Sequence, residues 1–167
     1  TPLDAPQISA LGTNTFTKTF SYSLPPSDLT TYLTTTYNIP TITLTLTNPL
    51  ITTLVAHPIS SPDTIIGFVQ LTEGTTEPCL AGIENLIELQ RLYVDEGWHG
   101  RGVGGRLMDA IEEVARQKGF KSLWLGVWEE NGRAQGMYGR RGFEKVGDHG
   151  FVMGGVVQRD WIMVKEL

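Results

Sequence analysis

The stretch from residue 86 to residue 128 constrains this chain more than any other. Leu86–Val94 alternates well enough for a strand, and Ser122–Trp128 is apolar enough for a strand buried on both faces. Between them Val103, Leu107, Met108, Ile111, Val114 and Ala115 recur at helical spacing, and Gly119 closes that helix. Glu112 and Arg116, four apart, are placed to pair on its outer face. A helix that joins two neighbouring strands of one sheet makes those strands parallel. The fold class is therefore α/β, with a mixed sheet.

The segment between the first strand and the helix narrows the chemistry. His99-Gly100-Arg101-Gly102-Val103-Gly104-Gly105-Arg106 places four glycines in six residues directly before the helix. Residues without a Cβ let several backbone N–H groups converge on a phosphate, and a helix N-terminus adds roughly half a positive charge, so this is an anion site in outline. Arg101 and Arg106 can close on the same group. The plain alternative is a loop that only needs tight turns. Gly100, Gly102 and Gly105 also satisfy G-x-G-x-x-G, with Glu129 near the end of the next strand, as in dinucleotide-binding folds. Spacing argues against that fold. There the first glycine follows its strand almost at once, whereas Asp95-Glu96-Gly97-Trp98-His99 intervene here after Val94.

Composition adds exclusions. With 167 residues, 40% hydrophobic and 19% charged, the chain suits one globular domain over residues 1–167. All twenty threonines lie in residues 1–76 with a single basic residue, Lys18, while residues 77–167 hold twelve basic and fourteen acidic ones. Residues 1–76 and 86–167 are read as two flanks of one shared core. The net charge of −5 argues against a nucleic-acid partner, and no apolar run approaches the roughly 20 residues of a membrane span. Cys79 is the only cysteine, which excludes an intrachain disulfide and fits a reducing, cytoplasmic compartment. Without a recognisable base nearby it is a poor nucleophile candidate. His57, His99 and His149 show no metal-like spacing, so no metal is expected. The chain begins at Thr1 without methionine, as a removed leader or an omitted N-terminal segment would leave it.

Elsewhere the pattern predicts a helix over residues 4–20, with Ile8, Leu11, Thr15 and Phe16 on one face and Gly12 weakening it. Ser27 is the expected N-cap of a helix running through Leu33. Asn48-Pro49 is a turn, and Ile51–His57 and Thr64–Thr72 read as neighbouring strands. Glu73–Asn85 reads as an irregular loop. A second helix in the C-terminal half starts at Asn131, carries Ala134, Met137, Tyr138 and Arg141, and stops at Gly142. Phe143–Gly147 and Asp160–Leu167 look like a closing antiparallel pair.

Two ordered segments then carry a family resemblance. His99, Gly102 and Gly104 fill the three fixed places of a Gln/Arg-x-x-Gly-x-Gly/Ala loop. Asn131-Gly-Arg-Ala134-Gln-Gly-Met137-Tyr138-Gly-Arg-Arg-Gly142-Phe143 follows Asn-x-x-Ala-x-x-Phe-Tyr-x-x-x-Gly-Phe. In this order they resemble the GNAT family of N-acetyltransferases. The departures are His99 in place of Gln or Arg, Met137 in place of Phe, and the helix-weakening Gly136 and Gly139. Leu92-Tyr93-Val94, Trp124-Leu-Gly-Val-Trp128-Glu, His149-Gly-Phe-Val-Met153-Gly154 and Gln158-Arg159-Asp160 resemble its bacterial branch of polyamine (spermidine/spermine) acetyltransferases. The likeness runs from about residue 1 to the end. It implies a mixed central sheet flanked by helices, with the family's fourth and fifth strands parallel and splayed. The family's usual first strand, ahead of the helix that Asp4 opens, is absent from this sequence.

The resemblance also implies an activity and its residues. The co-substrate is acetyl-CoA, held by the main chain of Leu92, Tyr93 and Val94, by the loop residues His99, Gly100, Arg101, Gly102, Val103, Gly104 and Gly105, and by Asn131. A backbone N–H at Val94 can stabilise charge developing on the thioester oxygen. Glu88, six residues before Val94, matches the general base that takes the proton of an ammonium; Glu84 is the other candidate. Strand alternation puts Glu88 and Gln90 on one face and Leu89 and Arg91 on the other. Tyr138 matches the proton donor for the departing CoA thiolate. Arg140 and Arg141 either reach the CoA phosphates or are solvated. The expected partner is a small-molecule cationic amine, drawn by Glu84, Glu88, Glu129, Glu130 and Asp160, with a homodimer as the candidate assembly. The acceptor is expected against residues 27–37, 73–85 and 151–158. A non-catalytic acyl-CoA-sensing module and a protein or peptide N-acetyltransferase are the other functions open at this stage.

Overall fold

In a computed structural model, residues 1–153 and 155–167 are described; Gly154, which ends one of the segments resembling the polyamine branch, lies outside them. The elements run α1 (Ala5–Phe20), α2 (Pro26–Thr36), α3 (Ile39–Thr47), β1 (Ile51–Ala56), β2 (Gly67–Thr72), β3 (Leu86–Val94), α4 (Val103–Gln117), β4 (Ser122–Trp128), α5 (Gly132–Arg140), β5 (Glu144–Met153) and β6 (Val156–Glu166). The six strands form one sheet in the order β1-β2-β3-β4-β6-β5. Only β3 and β4 are parallel, as the intervening helix requires. Among the described residues no strand precedes α1.

Each face of the sheet carries its own core. On one, α4 lays Leu107, Met108, Ile111 and Ala115 over Ile87, Leu89, Leu123, Leu125 and Val127. Each of the larger side chains contributes about 1.5–3 kcal/mol by leaving water. On the other, α1 sets Ile8, Leu11 and Phe16 at helical spacing against Tyr37, Ile42 and Phe68. Gly12 sits in α1 because the Tyr37 ring packs on its backbone; a Cβ there would stand 2.4 Å from a ring carbon.

Several local expectations are corrected. Helix α2 starts at Pro26 after a Pro25 N-cap, so Ser27 lies inside its first turn and does not cap it. Residues 39–47 form α3, outside every predicted element. Their alternation of Thr with Ile and Leu has the period of a strand. Asn38 caps the helix by accepting from the Thr41 N–H at 2.8 Å, and Thr43 and Thr45 donate to carbonyls four residues back. The closing hairpin is longer than predicted, with β5 running on to Met153 through two glycines. Glu112 is not on an outer face. It is 4% exposed and holds Lys165 at 2.7 Å and Arg141 at 3.1 Å, with Arg116 further off at 3.7 Å. Arg141 also pairs with Asp109 at 2.5 Å, so it is committed to α4 and lines no cleft.

The sheet opens in its middle. β3 and β4 pair only at Leu86–Ser122, Ile87–Leu123 and Glu88–Trp124, and beyond that point the strands separate. The cause lies in β3. Gln70 of β2 pairs with Arg91 and the next residue, Leu71, with Leu89, which leaves Gln90 as an extra, bulged residue. A bulge bends its strand and resets side-chain alternation. Hence Leu89 joins the α4 core while Arg91 lies over the Tyr37 ring, 5.6 Å from its centroid, on the opposite face. Strict alternation had placed these two residues together.

Candidate active site

The separation of β3 from β4 creates a cleft of about 640 Å³. One wall is the main chain of Leu92, Tyr93 and Val94, free of β4; the other is Val127 and Trp128. At its outer end lies the glycine cluster. Gly100 and Gly102 have φ of +74° and +79°, a backbone region that costs glycine nothing and other residues strain. Gly102 is the N-cap of α4, so the first turn of a fifteen-residue helix presents its N–H groups to the cleft beside Gly104 and Gly105. Nothing lies within 4 Å of where a Cβ of Gly100, Gly102 or Gly105 would stand. This is open, positively polarised main chain, the chemistry that a pyrophosphate needs.

Around this cradle the side chains have separate tasks. His99 turns back so that Nε2 meets the Val94 carbonyl at 2.9 Å, tying the loop to the strand end. Arg101, expected at the cradle, lies on Trp98, 5.0 Å from the ring centroid, and does not line the cleft, whereas Val103 does. Arg106, expected beside Arg101, does not line the cleft, whereas Arg133 and Arg140 do. Asn131 caps α5 by accepting from the Ala134 N–H at 3.1 Å and reaches the cleft as well. Tyr138 projects from α5 into the cleft, edge-on to Phe143 at 5.5 Å. Burial holds its phenol well above the usual range, so it stays protonated. Among the described residues its hydroxyl has no hydrogen-bond partner.

The opposite side of the cleft is aromatic. Phe20 meets Trp128 at 5.1 Å, and Phe16 stacks on Tyr32 at 4.4 Å. Tyr37 and Tyr93 share a hydroxyl–hydroxyl hydrogen bond of 2.8 Å, and burial raises the Tyr93 phenol to about 12. The β5–β6 hairpin closes this side with Phe151 and Gln158, the latter donating to the Ser23 carbonyl at 3.3 Å.

Where β3 and β4 part, the cleft opens into a side pocket of about 240 Å³. Gln90, Gly126, Phe151 and Asp160 line both spaces. Glu88 lines the side pocket only, together with Glu77, Trp124 and His149. Burial raises the Glu88 carboxyl, with Arg91 opposing and Glu77 adding to the shift. Burial likewise raises Asp160, to about 6, with His149 opposing and Glu129 adding to the shift. His149 Nδ1 is 2.9 Å from Glu77 Oε2. Trp124 is 4% exposed, and its buried Nε1–H has no partner among the described residues. Glu84, Glu129 and Glu130 are exposed and line neither space. Sequence reasoning named Asp160 only as one acid among five, and it gave no role to Glu77, Trp124 or His149. Their only shared signal is three-dimensional. Among the described residues no three His, Cys, Asp or Glu side chains are grouped to hold a metal ion, and no helix is long and apolar enough to cross a membrane.

Comparison with known proteins assigns the cleft a lineage. The acetyltransferase (GNAT) family matches residues 16–143. An N-acetyltransferase of Lactobacillus delbrueckii subsp. lactis, itself uncharacterized, is 28% identical over 173 residues, covering 98% of this chain and 92% of its own. The spermine/spermidine N(1)-acetyltransferase of Bacillus subtilis is 32% identical over 80 residues, 47% of this chain and 49% of that protein. Among solved structures, the PaiA N-acetyltransferase of Thermoplasma acidophilum in complex with coenzyme A superimposes with a TM-score of 0.77 at 22% identity, covering 100% of this chain and 95% of that one.

Proposed function

Since the chain belongs to the GNAT acetyltransferase family and is by that membership an acetyl-CoA-dependent N-acetyltransferase, we propose that it moves the acetyl group to a primary amine of a small cationic molecule such as a polyamine. The observation that carries this reading is the junction of the two spaces, where the glycine-lined cleft opens into a pocket bearing the Glu77, Glu88 and Asp160 carboxylates. The partial match to a spermine/spermidine acetyltransferase supports the same acceptor class.

In this reading residues 86–167 bind the donor and supply most of the acceptor pocket, and residues 1–76 close the cleft on the acceptor side with Phe16, Phe20 and Tyr32. The open, positively polarised main chain of the glycine cluster suits the diphosphate of coenzyme A, and a fold neighbour was solved in complex with that molecule. Main chain at Gly100–Gly105 would hold its diphosphate, with Arg133 and Arg140 near, and Leu92–Val94 and Asn131 would hold its pantetheine arm. Acetyl-CoA supplies an activated thioester; this chain supplies the proton handling. An ammonium of pKa about 10 must lose a proton before its nitrogen attacks. Glu88 accepts that proton, its raised carboxyl holding it more firmly than an exposed glutamate would. Tyr138 donates to the departing sulfur. A main-chain N–H near Val94 offsets negative charge on the thioester oxygen.

The test is a kinetic comparison of spermidine, spermine, a histone-tail peptide and an aminoglycoside at saturating acetyl-CoA, following thiol release. The polyamines are expected to give the highest kcat/KM. A peptide that outpaces them by a large factor would make this a peptide N-acetyltransferase. Binding of acetyl-CoA without thiol release from any amine would make it a sensing module.

A further inference from the structure

Asp160 is the one carboxylate that both spaces share. It stands opposite Trp128 in the β4–β6 ladder and leans over Gly126, where a Cβ would lie 3.2 Å from its Oδ2. It is half-buried, yet among the described residues it has neither an ion pair nor a hydrogen bond. Its neighbours are committed elsewhere: Arg159 to Asp148 at 3.4 Å, His149 to Glu77 at 2.9 Å. The titratable and charged groups around it are Glu77, Glu88, Glu129, Arg91 and the His149 imidazole, with carboxylates in the majority. A half-buried carboxylate without an ion pair or hydrogen bond is costly, and a ligand cation placed beside it offsets that cost. The second observation is one of position. Asp160 lines both the glycine-lined cleft and the side pocket that holds Glu88, so a group that it binds lies between the donor site and that carboxylate.

We propose that Asp160 is the specificity-determining residue for the acceptor, binding the ammonium group of the incoming amine at the passage between the two spaces and so selecting amines that are cationic in solution. This rests on the transferase reading above. Asp160 receives the cation; Glu88, deeper in the side pocket, takes its proton, and the neutral nitrogen then forms the new bond as the thioester C–S bond breaks. An uncharged acceptor of the same length gains nothing at this position.

Calorimetry on the CoA-loaded protein, with spermidine and with triethylene glycol, an uncharged chain of the same ten heavy atoms, tests this in the wild type and in Asp160→Asn. Spermidine affinity is expected to fall roughly tenfold or more in the variant, with coenzyme A affinity and kcat unchanged and KM raised in step. The glycol is expected to bind neither protein. Measured in two buffers of different ionisation enthalpy at pH 6, spermidine binding to the wild type releases protons, since a bound cation favours ionised Asp160. That count needs no variant, and it falls in Asp160→Asn. Unchanged spermidine affinity in a variant that still binds CoA, or no proton release in the wild type, overturns the inference while leaving the transferase intact. Loss of kcat at constant KM also overturns it, by making Asp160 the proton acceptor. A wild type that acetylates no amine removes the underlying reading and the inference with it.

Discussion

The glycine cradle and the acidic side pocket meet in one cleft, but they are built from different parts of the chain. At the cradle the working groups are main-chain N–H donors, and the side chains' contribution is mostly to be absent. At the pocket they are side chains of four separate elements: Glu77 in the loop before β3, Glu88 on β3, His149 on β5 and Asp160 on β6. The comparison teaches where such a protein can change. A cradle made of backbone tolerates few substitutions and recognises a constant diphosphate, whereas a pocket of unrelated side chains can be re-lined for a new acceptor without touching the donor site.

The sharpest way to break the comparison is at Gly102. A valine there must adopt φ of +79° and would crowd the diphosphate position, so Gly102→Val is expected to lose acetyl-CoA affinity by about 100-fold in calorimetry. Amine binding by the CoA-free protein should survive. Next is Glu88→Gln, expected to lower kcat by about 100-fold with CoA affinity kept. Here the sign of the pH effect is informative. The Glu88 carboxyl is raised, so the working carboxylate is present above its pKa and is lost as pH falls through it. The wild-type kcat/KM profile should therefore show an acid limb that flattens in the variant. A smaller effect is expected for Tyr138→Phe. A thiol of pKa about 8.5 leaves with only modest help, so a drop of roughly tenfold in kcat is predicted, with no change in CoA affinity.

The smallest effect is on stability and sets the pocket apart from the cradle. The Asp160 carboxyl is raised from 3.8 to about 6, so the folded state holds its proton more tightly than the unfolded one. Its contribution is then favourable below the unfolded value and is lost as pH rises through about 6. Asp160→Asn should therefore melt a few degrees higher than the wild type at pH 7.5 and match it below pH 4, as followed by circular dichroism.

The strand, helix and strand of residues 86–128 were legible because each depends on neighbours within a turn or two. Amphipathic spacing, the Asn131 cap and the glycines after α4 and α5 are signals of that kind. Helix α3 was not legible, because its alternating Thr and apolar residues carry the period of a strand. What holds it helical is the Asn38 cap, the threonine hydroxyls and the burial of Ile42 under α1. The bulge at Gln90 was equally hidden. Nothing in Leu89-Gln90-Arg91 marks it; it follows from pairing with β2, and it decides which face Arg91 takes.

For the site the division is the same. Gly100 and Gly102 were recognisable in sequence because a positive φ ahead of a helix is a local demand that almost only glycine meets. The pocket had no such signature. His149 and Glu77 are 72 residues apart, and Asp160 reaches Gly126 only because β6 inserts between β4 and β5 while β3 turns away. Sequence alone determined how the chain can grip an anion, since backbone conformation is set residue by residue. Only the tertiary structure decided which carboxylates face the acceptor, since that depends on strand order and on where two parallel strands stop pairing.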